Sequence, residues 1–150
     1  MQFPRSRIQT ERSTDILDKT PLRDMKVLLV EDNELNREIA RELLSMAGAQ
    51  VEQAVNGREA VDMVRENPER YHAVLMDIRM PVMNGCESAR RIRALGRQDT
   101  DRLPIIAMTA NAFSEDVKKS LDSGMNAHIA KPIDMEKIIS TLRDLTGWES

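Results

Sequence analysis

Ala73-Val74-Leu75-Met76-Asp77 is the stretch that decides the fold. Its four apolar residues stand at consecutive positions, so both faces of the segment are apolar. A half-wetted strand would alternate instead; an unbroken run suits a central parallel strand covered on both sides. The run stops at a carboxylate and is followed by Met80-Pro81-Val82-Met83-Asn84-Gly85, a turn-rich loop. The same construction recurs on either side. Upstream, Val27-Leu28-Leu29-Val30 ends abruptly in Glu31-Asp32, and Val51 to Val55 forms a weaker strand. Downstream, Pro104 opens Ile105-Ile106-Ala107-Met108, which stops at Thr109, and Ala127 to Ala130 runs into Lys131-Pro132.

Between these runs the period changes. Leu35, Ile39, Leu43, Leu44 and Met46 have helical spacing, and Gly48 closes that helix. Asn56 caps a second helix, with Glu59 as its box partner. A third is expected over about 86–95 and a fourth over about 115–123, the latter capped by Ser114 and ended by Gly124. Met135, Ile138, Ile139, Leu142 and Leu145 share one face of the last. Five strands alternating with five helices imply βαβ units and a parallel sheet with helices on both faces. Right-handed crossovers narrow the topology further. Residues 1–24 are polar and mixed in charge, and read as a flexible linker or tail. The domain is expected over 25–146, with 147–150 as a short tail.

The chain has 150 residues, of which 41% are hydrophobic and 31% charged, a balance that suits one globular domain plus a tail. A net charge of -3 offers no basic field, so direct nucleic-acid binding is not expected. Cys86 is the single cysteine, which excludes an internal disulfide or a zinc cluster and suits a reducing cytoplasm. Met1 to Thr10 lacks the apolar run of a secretory signal, and no stretch approaches the roughly 20 apolar residues of a membrane span. This segment is therefore expected to lie in the cytoplasm without membrane contact, even where a parent protein is membrane-anchored.

In an open α/β sheet, ligands bind beyond the carboxyl ends of the strands. Those ends carry Glu31 and Asp32, Asp77, Thr109 and Lys131. Three carboxylates brought together either rise in pKa or hold a cation. Hard oxygen donors with no His or Cys beside them favour Mg²⁺. A lysine opposite can neutralise a phosphoryl oxygen, and the Thr109 hydroxyl can donate to another. The set suits phosphoryl transfer, in which a carboxylate can itself accept the phosphoryl group.

Four segments carry a resemblance. Val27-Leu28-Leu29-Val30-Glu31-Asp32-Asn33, Met76-Asp77-Ile78-Arg79-Met80-Pro81-Val82-Met83-Asn84-Gly85, Ala107-Met108-Thr109-Ala110-Asn111-Ala112 and Ile129-Ala130-Lys131-Pro132-Ile133 resemble response-regulator receiver domains in order and spacing. The likeness covers about residues 25–146. The segments from Glu31 to Arg37 and from Thr109 to Phe113 look most like receivers of hybrid sensor histidine kinases. The resemblance implies a flavodoxin-like (βα)5 sandwich with sheet order 2-1-3-4-5. It implies that Asp77 accepts a phosphoryl group from the phosphohistidine of a histidine kinase or histidine phosphotransfer domain, as part of a phosphorelay. Glu31, Asp32, Asp77 and the backbone carbonyl of Arg79 would hold Mg²⁺, with Thr109 and Lys131 serving the phosphoryl group. Arg79 and Asn111 would flank the attacking water, and the bond before Pro132 would be cis.

Other residues leave choices open. His128 stands where such receivers often carry an aromatic residue, and by itself reads as a half-buried strand residue. Leu35 is either core or, with the first helix, a docking contact for the partner. Cys86 reads as packed and inert, and Met80 and Met83 as the mouth of the site. The parent is expected to be a hybrid kinase carrying this receiver at its C-terminal end, or else the chain is a stand-alone response regulator. In isolation it would be no dedicated enzyme, catalysing only its own phosphorylation and dephosphorylation. An aspartyl-nucleophile phosphohydrolase is the enzymatic alternative. It would want a second acid two residues after the nucleophile, and Arg79 stands there.

Overall fold

Strands β1 (Lys26–Val30), β2 (Gln50–Ala54), β3 (Ala73–Asp77), β4 (Ile105–Thr109) and β5 (Ala127–Ala130) form one parallel sheet in the order β2-β1-β3-β4-β5. The computed structural model describes residues 20–110 and 115–148. Its described helices are α1 (Glu34–Met46), α2 (Gly57–Glu66), α3 (Gly85–Ala94), α4 (Gln98–Arg102), α5 (Glu115–Asp122) and α6 (Met135–Thr146). The expected architecture and sheet order are those observed. The expected tail over 1–19, the Ser114 cap and the role of Asn111 lie outside the described residues.

The unbroken apolar runs divide by parity. Leu28, Val30, Val74, Met76, Ile105 and Ala107 face one core, shared with α2 and α3. Val27, Leu29, Ala73, Leu75, Ile106 and Met108 face the other, shared with α1 and α6. Each fully buried Leu or Ile contributes roughly 1.5–3 kcal/mol, so both layers are held firmly to the sheet. The register then sets the functional edge. Val30 pairs with Met76, Asp77 with Met108, and Thr109 with Ala130, so these strands end nearly level.

Local chemistry fixes the helix starts. Asn33, Asn56, Asn84 and Asp134 each accept a hydrogen bond from a first-turn backbone N–H. Glu59 does not close the expected box on the Asn56 N–H; its side chain reaches one residue further back and accepts from the Val55 N–H at 3.1 Å. At the loop after β3, the α carbon of Gly85 lies against the Asp77 carbonyl, where any Cβ would collide with it. Gly57 meets the same loop from α2: a Cβ there would come within 2.5 Å of the Met83 carbonyl.

Three features depart from expectation. Helix α4 follows α3 as a sixth helix where five were expected; its five residues, Gln98 to Arg102, carry no apolar period. The Arg93 guanidinium holds that region together by donating to the carbonyls of Thr100, Leu103 and Gly124 and to Asn126 Oδ1. Second, the packed body reaches back before Met25. Leu22 is fully buried, and its N–H donates to the Ala47 carbonyl at 2.8 Å. Trp148 joins it: its Nε1 donates to the Arg23 carbonyl at 2.9 Å, and its ring lies 4.6 Å from that of His72. Third, His128 is exposed rather than half-buried, because β5 is an edge strand. Among the described residues no helix is long and apolar enough to cross a membrane.

Candidate functional site

Each candidate side chain sits at a strand end. Glu31 follows β1 directly, and its backbone N–H still bonds across to the Ala54 carbonyl at 3.1 Å. Arg37, one turn into α1, donates to the Glu31 carbonyl at 2.9 Å and anchors the bend. The Glu31 side chain is thereby held in the interior, while neighbouring Asp32 points to solvent. Asp77 ends β3 and is buried. Glu31, Asp32 and Asp77 each offer an oxygen, and those three oxygens lie within 4.8 Å of one another. Lys131 completes the corner from β5. Its Nζ lies 3.0 Å from Glu31 Oε1 and 3.5 Å from Asp77 Oδ2. The backbone N–H of Lys131 bonds to the Thr109 carbonyl at 2.7 Å, which ties the ends of β4 and β5 together. The Lys131–Pro132 peptide bond is cis, as the resemblance implied.

The electrostatics of the Glu31–Lys131 pair are unequal. Pairing alone would lower the Glu31 pKa and raise that of Lys131. Burial instead pushes the Glu31 carboxyl above its ordinary value, against the pull of Lys131 and with the help of Asp77. Burial also opposes the Lys131 charge, but Glu31 and Asp77 outweigh it and hold its pKa above the usual value. The difference follows from exposure: the Glu31 side chain is 2% exposed and that of Lys131 23%. One ammonium thus faces three carboxylates, and the corner keeps an excess of negative charge.

Thr109 supplies a second sign of an incomplete site. Its hydroxyl is buried and has no hydrogen-bond partner among the described residues. An unpaired buried hydroxyl is costly and calls for an explanation. It stands at the end of β4, next to the strand that carries Asp77. The donor set offers oxygen only, with no imidazole or thiolate, which fits Mg²⁺ better than a softer ion.

The family model for response regulator receiver domains matches residues 27–143. The chain belongs to that family. Among relatives of this receiver, the rice (Oryza sativa subsp. indica) protein named probable histidine kinase 2 is 40% identical over 134 residues, covering 81% of the chain. The chain spans only 13% of that relative's length. The crystal structure of the receiver domain of sensor histidine kinase PA1611 from Pseudomonas aeruginosa, with magnesium coordinated in its active-site cleft, matches with a TM-score of 0.76 at 37% identity. That match covers 83% of this chain and 99% of the other. The Saccharomyces cerevisiae receiver domain of Ssk1, co-crystallised with the histidine phosphotransfer protein Ypd1, matches at 0.74 and 29% identity, over 85% of this chain and 91% of that one.

Within the receiver, Glu31, Asp32, Asp77, Thr109 and Lys131 stand where the strand ends were read to place them. Arg79 lies beside Asp77, with its backbone N–H 3.4 Å from Asp77 Oδ1. Leu35 is 68% exposed, which removes it from the core. Cys86 is buried against α3's neighbours, as a packed thiol. One residue at the edge of the site escaped the sequence reading. Asp116 binds the Arg79 side chain from α5, and nothing local in the sequence links two positions 37 residues apart.

Proposed function

We propose that this receiver takes a phosphoryl group on Asp77 from a phosphohistidine, in a phosphorelay fed by a histidine kinase or histidine phosphotransfer domain. One observation carries the assignment: Lys131 stands between Glu31 and Asp77, with Asp32 close by, although these residues span positions 31 to 131. An Asp77 carboxylate oxygen attacks phosphorus as the bond to the histidine nitrogen breaks and the imidazole leaves with a proton. Glu31, Asp32, Asp77 and the carbonyl of Arg79 would hold Mg²⁺, which would supply charge neutralisation for the phosphoryl oxygens. Lys131 pairs with a further phosphoryl oxygen as a point charge. The Thr109 hydroxyl, without a partner among the described residues, gains one by donating to the phosphoryl group.

The partner surface belongs to α1. Leu35 (68% exposed), Ile39 (46%) and Met46 (67%) leave an apolar stripe on its outer side. Ile39 and Asn36 border a small hollow with Lys131, Pro132 and Ile133, so the stripe runs up to the acidic corner. A docked histidine-bearing helix would meet the acceptor from that side. The parent is a hybrid sensor histidine kinase with this receiver at its C-terminal end, on the cytoplasmic side. The support is the likeness to histidine kinases many times longer than this chain.

Incubation with acetyl phosphate and Mg²⁺, followed by intact-mass measurement, tests the assignment. Wild type is expected to gain one labile phosphoryl group and Asp77→Asn none. Full labelling of the Asn variant rules Asp77 out. Steady turnover of simple phosphate esters would instead favour the phosphohydrolase alternative.

A further inference from the structure

The Arg79 side chain is rooted beside the acceptor and reaches away from it. Its backbone N–H lies 3.4 Å from Asp77 Oδ1. Its Nε and one Nη both donate to a single oxygen of Asp116, at 2.9 and 2.7 Å. The guanidinium side chain is 79% exposed, whereas Asp116 is only 21% exposed. Asp116 sits in the first turn of α5, the helix that follows the chain leaving Thr109. The pair also borders a cleft of about 660 Å³ between the loop after β3 and α5, lined in part by Ile78, Met80 and Lys119.

The bland account is a helix-start carboxylate with a passing ion pair. Acidic groups do favour helix N-termini, and an exposed ion pair adds little to stability. That very weakness makes the location of the guanidinium the larger consequence. A phosphoryl group carries up to about two negative charges and three strong acceptor oxygens. Arginine suits such oxygens better than lysine does, because its planar fork matches them. Once Asp77 is phosphorylated, Asp116 and the phosphoryl group compete for one flexible cation.

We propose that Asp116 is a positioning residue that shortens the lifetime of the phosphorylated receiver by holding Arg79 off the phosphoryl group. The inference rests on Asp77 being the acceptor. In hydrolysis a water oxygen bonds to phosphorus and the bond to the Asp77 oxygen breaks. The carboxylate is restored and dihydrogen phosphate leaves with both water protons. With Arg79 bound to Asp116, its guanidinium is held out of the path by which water approaches phosphorus. Released, the guanidinium pairs with phosphoryl oxygens and covers the approach.

The test labels the full chain with acetyl phosphate and Mg²⁺, removes the donor, and follows decay by intact mass. Asp116→Asn is expected to decay about two- to fivefold more slowly, the range an exposed ion pair can supply. Asp116→Glu, which keeps the anion, returns the rate toward wild type. In an Arg79→Ala background, Asp116→Asn should change the decay no further. An unchanged rate in Asp116→Asn, or an equal effect without Arg79, overturns the proposal. So does a decay change that follows a lowered thermal midpoint in both Asp116 variants, since that is a structural role. Failure of wild type to take any label defeats the acceptor assignment and this inference together. Normal labelling with unaltered decay in Asp116→Asn defeats this inference alone.

Discussion

At the scale of single residues, Thr109 and Asp116 show opposite degrees of legibility. Thr109 was readable because it ends an apolar run, and a polar residue at that point lies at the edge where an open sheet binds ligands. Its unpaired hydroxyl was not readable, since satisfaction depends on neighbours from other strands. Asp116 gave no signal at all: its partner is 37 residues away and both groups are ordinary surface types. The Thr109 hydroxyl leads to a separation of stability from signalling. Replacement by Val keeps the shape and removes an unsatisfied group, whose burial costs about 1–3 kcal/mol. Thr109→Val is therefore expected to match wild type in denaturant melts or to exceed it by up to about 1 kcal/mol. It should still take phosphate at Asp77. Its α5 amides, however, should exchange alike with and without the label, whereas those of wild type should differ. A clear loss of stability in Thr109→Val means that the hydroxyl has a partner after all.

At the scale of elements, the strands were plain and the helices only partly so. A parallel strand buried on both faces leaves an unbroken apolar run that no helix surface needs. Helix α4 left nothing comparable, because five polar residues held by Arg93 have no period to detect. The start of the packed body was hidden for a related reason: Leu22, beside Pro21 in an otherwise polar segment, gives no pattern, yet it is fully buried. Helix α1 posed a third kind of difficulty. Its apolar residues occupy two sides, with Ala40 and Leu44 inward and Leu35, Ile39 and Met46 outward. Spacing alone could not tell the core stripe from the exposed one. The outward stripe has a direct test. Leu35→Asp removes no core packing, so stability should stay within about 0.5 kcal/mol of wild type. A central apolar contact is commonly worth more than about 1 kcal/mol in an interface. Transfer from a phosphorylated histidine phosphotransfer protein should therefore slow by about tenfold, while labelling by acetyl phosphate keeps its rate. Equal slowing with both donors would place the defect in the acidic corner and remove α1 from the interface.

At the scale of the whole molecule, the fold brings repelling charges together and leaves the repulsion only partly relieved. Strands β1, β3 and β5 deliver Glu31 with Asp32, Asp77 and Lys131 to one edge, and a single ammonium stands against three carboxylates. The Glu31 carboxyl, raised above its ordinary 4.5 by burial, shows the direction of the cost. As pH rises, the unfolded chain releases this proton before the folded one does. The contribution of Glu31 is thus complete below about pH 4.5 and is lost as pH climbs through its folded value. At neutral pH a divalent cation that binds only the folded chain should return stability. At a concentration ten times its dissociation constant, the gain is about 1.4 kcal/mol. The thermal midpoint of wild type is therefore expected to climb with Mg²⁺ by several degrees, in the range of about 2–8 °C for a domain of this size. Asp77→Asn removes one of the three charges. Without Mg²⁺ its midpoint should equal or exceed that of wild type, and its rise with Mg²⁺ should be much smaller. A wild-type midpoint that stays flat across Mg²⁺ concentrations sufficient to saturate labelling would mean that the three carboxylates do not act as one cation site.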